Sequence, residues 1–135
     1  MSLTPPFKYI NADELASMIK ATPDSALKEY AVVDVRSDDF VGGNIVNCVN
    51  SPAETFHVDV DGLVKKLDGV PKVIFHCALS QQRGPKSARI YSESLTAEQK
   101  KAQEVYVLRD GFTGFQQKFR NDPVLIEKFN KKYHD

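Results

Sequence analysis

Long apolar runs are missing from this 135-residue chain. None approaches the roughly 18 residues that a bilayer-crossing helix needs, and no signal-peptide core is visible, so no membrane role is expected. Net charge is also absent: 18 Lys+Arg balance 18 Asp+Glu. No global basic field argues for nucleic acid, and any attraction for anions must be local. Cysteine is scarce. Cys48 and Cys77 make no disulfide framework, and His57, His76 and His134 are too widely spaced to build a zinc site with them, so no metal is expected. Repeats and low-complexity tracts are lacking as well. The length fits one domain over residues 1–135, large enough to bury a core.

What is present alternates. Asn11 to Glu14 reads as a capping box, followed by Leu15, Met18 and Ile19 at helical spacing to about Lys20. Tyr30–Val35 has strand character, and Asn44–Val49, bounded by Gly42-Gly43 and Ser51-Pro52, is a weaker strand; both are expected in a parallel sheet. Val60, Leu63, Val64 and Leu67 mark an amphipathic helix, and Val73-Ile74-Phe75 a strand. Helices are expected over Gly84–Ser94 and after Thr96, then a strand over Val105–Leu108, and closing helices over Phe112–Phe119 and Pro123–Tyr133. Thr4-Pro5-Pro6 and Lys131–Asp135 are expected to fray. Such alternation predicts an α/β fold, a largely parallel central sheet flanked by helices.

Chemistry concentrates in residues 76–85, His-Cys-Ala-Leu-Ser-Gln-Gln-Arg-Gly-Pro. A strand ending at His76 delivers Cys77 to the carboxyl edge of the sheet, where such sheets bind ligands, and Gly84-Pro85 opens a helix beyond the loop. Cys77 therefore faces a helix N-terminus, whose unpaired N–H groups and dipole favour an anion. A free thiol, with a pKa of about 8.5, needs such activation; neighbouring dipoles and a guanidinium lower thiol pKa values to roughly 3.5 to 7.5. Ala78, Leu79, Ser80, Gln81 and Gln82 can curl so that their amides, with that of Arg83, converge on a tetrahedral dianion. Arg83 can close the ring bidentately, as a lysine cannot. Cys77 taken alone would read as a buried hydrophobe; the strand before it, the helix start after it and the placed arginine favour a functional loop. His76 either orients the loop as a core histidine or acts directly on the thiol.

These residues resemble the rhodanese-like domains, in the branch that contains the cell-cycle dual-specificity phosphatases and the eukaryotic arsenate reductases. The resemblance runs through Val33-Asp34-Val35-Arg36, Asp39-Phe40-Val41-Gly42-Gly43-Asn44-Ile45, the cysteine loop and Leu108-Arg109-Asp110-Gly111-Phe112 with Phe115. It implies a Cys77 nucleophile forming a phosphocysteine, or receiving arsenate, with Arg83 and the loop amides binding the oxyanion. Sulfurtransferases of this fold carry a loop one residue shorter, which disfavours sulfur transfer. Three departures matter. Ala78 and Gln82 stand where the cell-cycle enzymes carry glutamates, leaving the general acid unassigned; Glu54, Asp59 and Asp61 read as solvated charges. Val35 replaces a protective cysteine, and Cys48 reads as core packing rather than a resolving thiol. Asn44 replaces a histidine.

The leading expectation is a cysteine-dependent phosphatase of tyrosine or dual-specificity type, acting on a phosphorylated protein or a small aryl phosphate without a cofactor. The alternatives are an arsenate reductase using glutathione as co-substrate, and a non-catalytic rhodanese-type binding module. Asp34 and Arg36 are expected to support the loop from behind, with Gly84 beside it. Lys86 and Arg89 read as a solvated helix face. A reactive thiol requires a reducing compartment, the cytosol or nucleus.

Overall fold

The computed structural model describes residues 6–21 and 26–134. Consecutive apolar residues in the strand segments bury both faces of a central parallel sheet, as strands covered by helices on either side must. Its order is β1-β6-β5-β2-β4, with β1 Lys8–Ile10, β2 Tyr30–Asp34, β4 Val49–Asn50, β5 Lys72–His76 and β6 Glu104–Leu108. Every pairing in it is parallel. Alternate residues feed two cores. Val33, Val73, Phe75 and Val107 pack beneath α2 (Phe56–Lys66) and α3 (Arg83–Glu93). Val32, Ile74 and Leu108 pack beneath α1 (Ala12–Ala21) and α5 (Gly111–Phe119).

Local signals explain most boundaries. The Asn11 side chain accepts from the Glu14 amide at 2.8 Å while Glu14 accepts from the Asn11 amide at 3.2 Å, the reciprocal capping that starts α1. Thr96 and Gln99 repeat the device at the start of α4 (Ala97–Ala102).

Three expectations are corrected. The 44–49 segment does not enter the main sheet as one strand. It turns at Asn47, with φ 63°, so that only Val49–Asn50 joins β2. Asn44–Ile45 instead forms β3, antiparallel to β7 (Ile126–Glu127) in a separate two-stranded sheet. Residues 123–133 do not form the one closing helix expected; only Lys131–Tyr133 coil, as a single 3-10 turn. The chain turns after Asp122, whose carbonyl accepts from the Leu125 and Ile126 amides, and Leu125 and Ile126 are both buried as it extends into β7. The tail through His134 is docked rather than frayed: the Asn130 amide donates to the Gly42 carbonyl at 2.9 Å, and the His134 ring stacks on Phe129 at 5.2 Å. Thr4, Pro5 and Asp135 lie outside the described residues.

Candidate active site

Strand β5 ends at His76 and α3 begins at Arg83, so Cys77 and the loop 78–82 bridge a strand end and a helix start at the centre of the sheet. Cys77 is 3% exposed. Its Sγ accepts from the Ser80 amide at 3.2 Å and from the Gly84 amide, in the first turn of α3, at 3.4 Å. Two donors from opposite sides of the loop thus meet at the sulfur, where charge develops or is released in thiol chemistry. Ser80 takes the left-handed conformation, φ 57°, and its hydroxyl is buried without a hydrogen-bond partner among the described residues. Leu79, Gln81 and Gln82 are exposed on the rim, and Ala78 is half-buried.

The loop is held from two sides. The α5 amides of Phe112 and Thr113 donate to the Cys77 and Ala78 carbonyls at 3.0 and 2.9 Å. Gly111, at φ +57°, brings α5 this close: a Cβ there would lie 2.4 Å from the Ala78 carbonyl oxygen. On the other side His76 is fully buried, with Nδ1 3.1 Å from the Cys77 carbonyl and Nε2 3.6 Å from Asp34 Oδ2. A carbonyl only accepts, so Nδ1 carries the hydrogen in that contact. Burial outweighs the Asp34 carboxylate and pushes the His76 pKa below its ordinary value, favouring the neutral ring. Of the two roles open to it, the geometry places His76 behind the loop, orienting the Cys77 backbone.

Asp34 and Arg36 form a buried pair at the end of β2. Both are buried; Arg36 Nε lies 3.0 Å from each Asp34 carboxylate oxygen, and Nη2 donates to Oδ2 at 2.7 Å. The same guanidinium donates to the Asp39 and Gly43 carbonyls and lies 4.2 Å from the Phe112 ring centroid. Phe112, 1% exposed, is therefore an inner wall behind the loop rather than a surface open to substrate.

Arg83 holds the least anticipated contact. Nη1 and Nη2 donate to Asp39 Oδ1 and Oδ2 at 3.0 and 2.7 Å. The pairing holds the Asp39 carboxyl below its ordinary range, and Asp39 followed by the Cys77 sulfur makes Arg83 still harder to deprotonate. Asp39 belongs to the Asp39–Ile45 stretch that carries the family resemblance, but one of two adjacent acids in the run Ser37-Asp38-Asp39 gives no signal of a partner 44 residues away. The Gly111 approach was equally hidden. Beside Arg83 opens a groove of about 510 Å³ lined by Ala53, Glu54, His57, Gln82, Lys86 and Ile90. Glu54 in it accepts from the Ser37 hydroxyl, Asp59 accepts from Thr55 Oγ1 at 2.8 Å, and Asp61 is exposed on α2.

Cys48 packs in the core of α1 and α5, whereas Cys77 belongs to that of α2 and α3. Burial, with the Asp34 charge second, pushes its pKa up to about 12. It should resist alkylation in the folded protein at pH 8, so iodoacetamide with mass analysis is expected to label Cys77 at most; equal labelling of both thiols would refute this. Asn44, in place of the family's histidine, donates to the Ile45 carbonyl and Glu127 and so ties β3 to β7. Val35, in place of a cysteine, is buried in the same core as Cys77.

A cysteine cradled between a parallel strand and a helix N-terminus, with an arginine opening that helix, is the layout of a rhodanese-type cysteine loop. The Rhodanese-like domain family matches residues 11–118, and the chain belongs to that family. It is 33% identical over 135 residues to "Dual specificity phosphatase ibp1" of Schizosaccharomyces pombe, covering 88% of this chain and 95% of that protein. Its structure is similar to that of Ygr203w, described as "a yeast protein tyrosine phosphatase of the Rhodanese family", with a TM-score of 0.84, 29% identity and coverage of 99% of this chain and 100% of the other. The As-Sb reductase from Leishmania major is also similar, with a TM-score of 0.67 and 31% identity over 89% of this chain and 84% of the other.

Proposed function

We propose that this protein is a cysteine-dependent phosphatase of tyrosine or dual-specificity type, acting on a phosphorylated protein or a small aryl phosphate. The observation that carries the reading is the meeting of the Ser80 and Gly84 amides at Cys77 Sγ, with Arg83 at the start of the same helix. Cys77 attacks phosphorus in line as the thiolate, the P–O ester bond breaks, and the leaving oxygen takes its proton from solvent. Ala78 to Arg83 supply donors to the equatorial oxygens. Water then attacks the phosphocysteine, the S–P bond breaks, and phosphate leaves with the sulfur restored. The scheme draws on no metal or cofactor. It requires a reduced thiol, which suits the cytosol or nucleus.

A second reading, arsenate reduction with glutathione as co-substrate, is favoured by one specific observation. The loop carries no carboxylate, and Asp39 beside it is held ionised by Arg83. That handicaps protonation of an alkyl leaving group but leaves arsenate capture intact.

Steady-state hydrolysis of an aryl phosphate under reducing conditions separates the two. Cys77→Ser is expected to lower turnover by at least about 10³-fold and Arg83→Ala by about 10²- to 10³-fold. Turnover surviving both substitutions would overturn the phosphatase reading. Glutathione-dependent arsenate reduction without aryl phosphate hydrolysis would establish the second.

A further inference from the structure

We infer that Asp39 is the positioning residue for Arg83, fixing one edge of its guanidinium so that another is presented to the oxyanion. The inference rests on the reading of Arg83 as the oxyanion's side-chain ligand. Arg83 has five N–H donors in a rigid plane. Asp39 takes one from each Nη, at 3.0 and 2.7 Å, engaging the outer edge of the fork. Nε–H and the second hydrogen on each Nη remain, enough for a bidentate contact with a tetrahedral oxyanion along the adjacent edge. Arg83 and Asp39 are 36% and 41% exposed in their side chains. A long side chain that far open to water would otherwise sample many rotamers, and a misplaced guanidinium cannot stabilise charge developing at a fixed point.

Asp39 is itself anchored, which a merely opportunistic surface pair would not need. Its Oδ1 accepts from the Ser37 amide at 3.0 Å, and its carbonyl accepts from Arg36 Nη1 at 3.1 Å. Arg36 is in turn buried against Asp34 at the end of β2. Position is thereby passed from the centre of the sheet, through Asp34, Arg36 and the Asp39 backbone, to the Asp39 carboxylate and Arg83. Two other roles fit less well. A proton donor must carry a proton, and Asp39 is held ionised with both oxygens engaged. A competitor for Arg83 would need to block the edge the oxyanion uses, whereas Asp39 leaves Nε–H and its neighbour free.

The test compares wild type, Asp39→Asn, Asp39→Ala, Arg83→Ala and the Asp39→Ala/Arg83→Ala double variant. It measures aryl phosphate kinetics and calorimetric binding of inorganic phosphate and arsenate, with thermal unfolding confirming that each variant is folded. Asp39→Ala should lower kcat/KM by about 10- to 100-fold and weaken oxyanion binding, the scale expected for a misplacement near 1 Å. Asp39→Asn, retaining one acceptor, should fall between. The double variant should match Arg83→Ala, because a residue acting only through Arg83 has nothing left to position. Further loss in the double variant, or tighter oxyanion binding by Asp39→Ala, would overturn the inference. Oxyanion binding that is lost in Arg83→Ala but unchanged in Asp39→Ala would overturn it alone. Binding that is absent from wild type would sink the phosphatase reading and this inference with it.

Discussion

Gly111→Ala is expected to dismantle the cysteine loop, lowering kcat/KM for an aryl phosphate by about 10²-fold or more and stability by roughly 2 to 4 kcal/mol. The residue has φ +57°, where a side chain is strained, and the space its Cβ would need is filled by main chain: the Ala78 oxygen at 2.4 Å, the Cys77 oxygen at 2.5 Å and the Ala78 carbon at 2.6 Å. A flexible side chain could swing aside, but these atoms are the loop itself. Either α5 retreats and the Phe112 and Thr113 amides lose the carbonyls of Cys77 and Ala78, or the loop shifts and the donors around Cys77 Sγ lose register. Gly62→Ala is the matched comparison, because Gly62 lies within α2 and an added Cβ meets nothing within 4 Å. There alanine should leave activity unchanged and raise stability by up to about 1 kcal/mol. Urea unfolding and steady-state kinetics on both variants decide the matter. Gly111→Ala retaining activity within about threefold would show that the loop does not depend on α5.

The features legible in the sequence were those written in local chemistry. Apolar runs disclosed β2, β5 and β6, whose neighbours in the sheet are helix-covered on both faces, and capping residues disclosed α1 and α4. The cysteine loop was legible because its strand, spacing and helix start lie within ten consecutive residues. Residues 44–49 and 123–133 depart from expectation for one shared reason. Two-residue strands carry almost no period, and their identity comes from pairing with each other across 80 residues of chain: Ile45 opposite Ile126, and Asn44 opposite Glu127. The apolar residues Leu125 and Ile126 fit a helical stripe as readily as a buried strand. The docked tail departs similarly, since its hold comes from contacts to Gly42 and Phe129 rather than from propensity.

At the site the same division holds. Cys77, Arg83 and the loop residues announce themselves by spacing, but the groups that aim them do not. Asp39 meets Arg83 from another segment, and the α5 amides act through backbone atoms that any sequence possesses. A glycine at position 111 marks the second of these only once the approach of two main chains is known. The residues that bear the chemistry were therefore more visible than those that position them, and substitution of the positioning groups is where the structure adds most.

Asp34→Asn is expected to cost about 3 to 5 kcal/mol, because it preserves shape while leaving the Arg36 guanidinium buried without its counter-charge. Arg36 is 1% exposed, and its Nε and Nη2 reach the Asp34 carboxylate within 3.0 Å. Arg36→Met should cost a similar amount by stranding the carboxylate. The double replacement Asp34→Leu/Arg36→Met should be less destabilising than the sum of its parts, since neither charge then remains to be solvated. Stability and activity should part company in that variant. Arg36 also donates to the carbonyls of Asp39 and Gly43, contacts that a methionine cannot replace. Even a well-folded double variant should therefore lose kcat/KM by about 10-fold or more, through an Asp39 no longer fixed beneath Arg83. Urea unfolding of the three variants, with kinetics on those that remain folded, tests both halves. Single replacements costing less than about 1 kcal/mol would deny the pair its structural role, and a folded double variant with wild-type kinetics would break the link from the buried pair to Arg83.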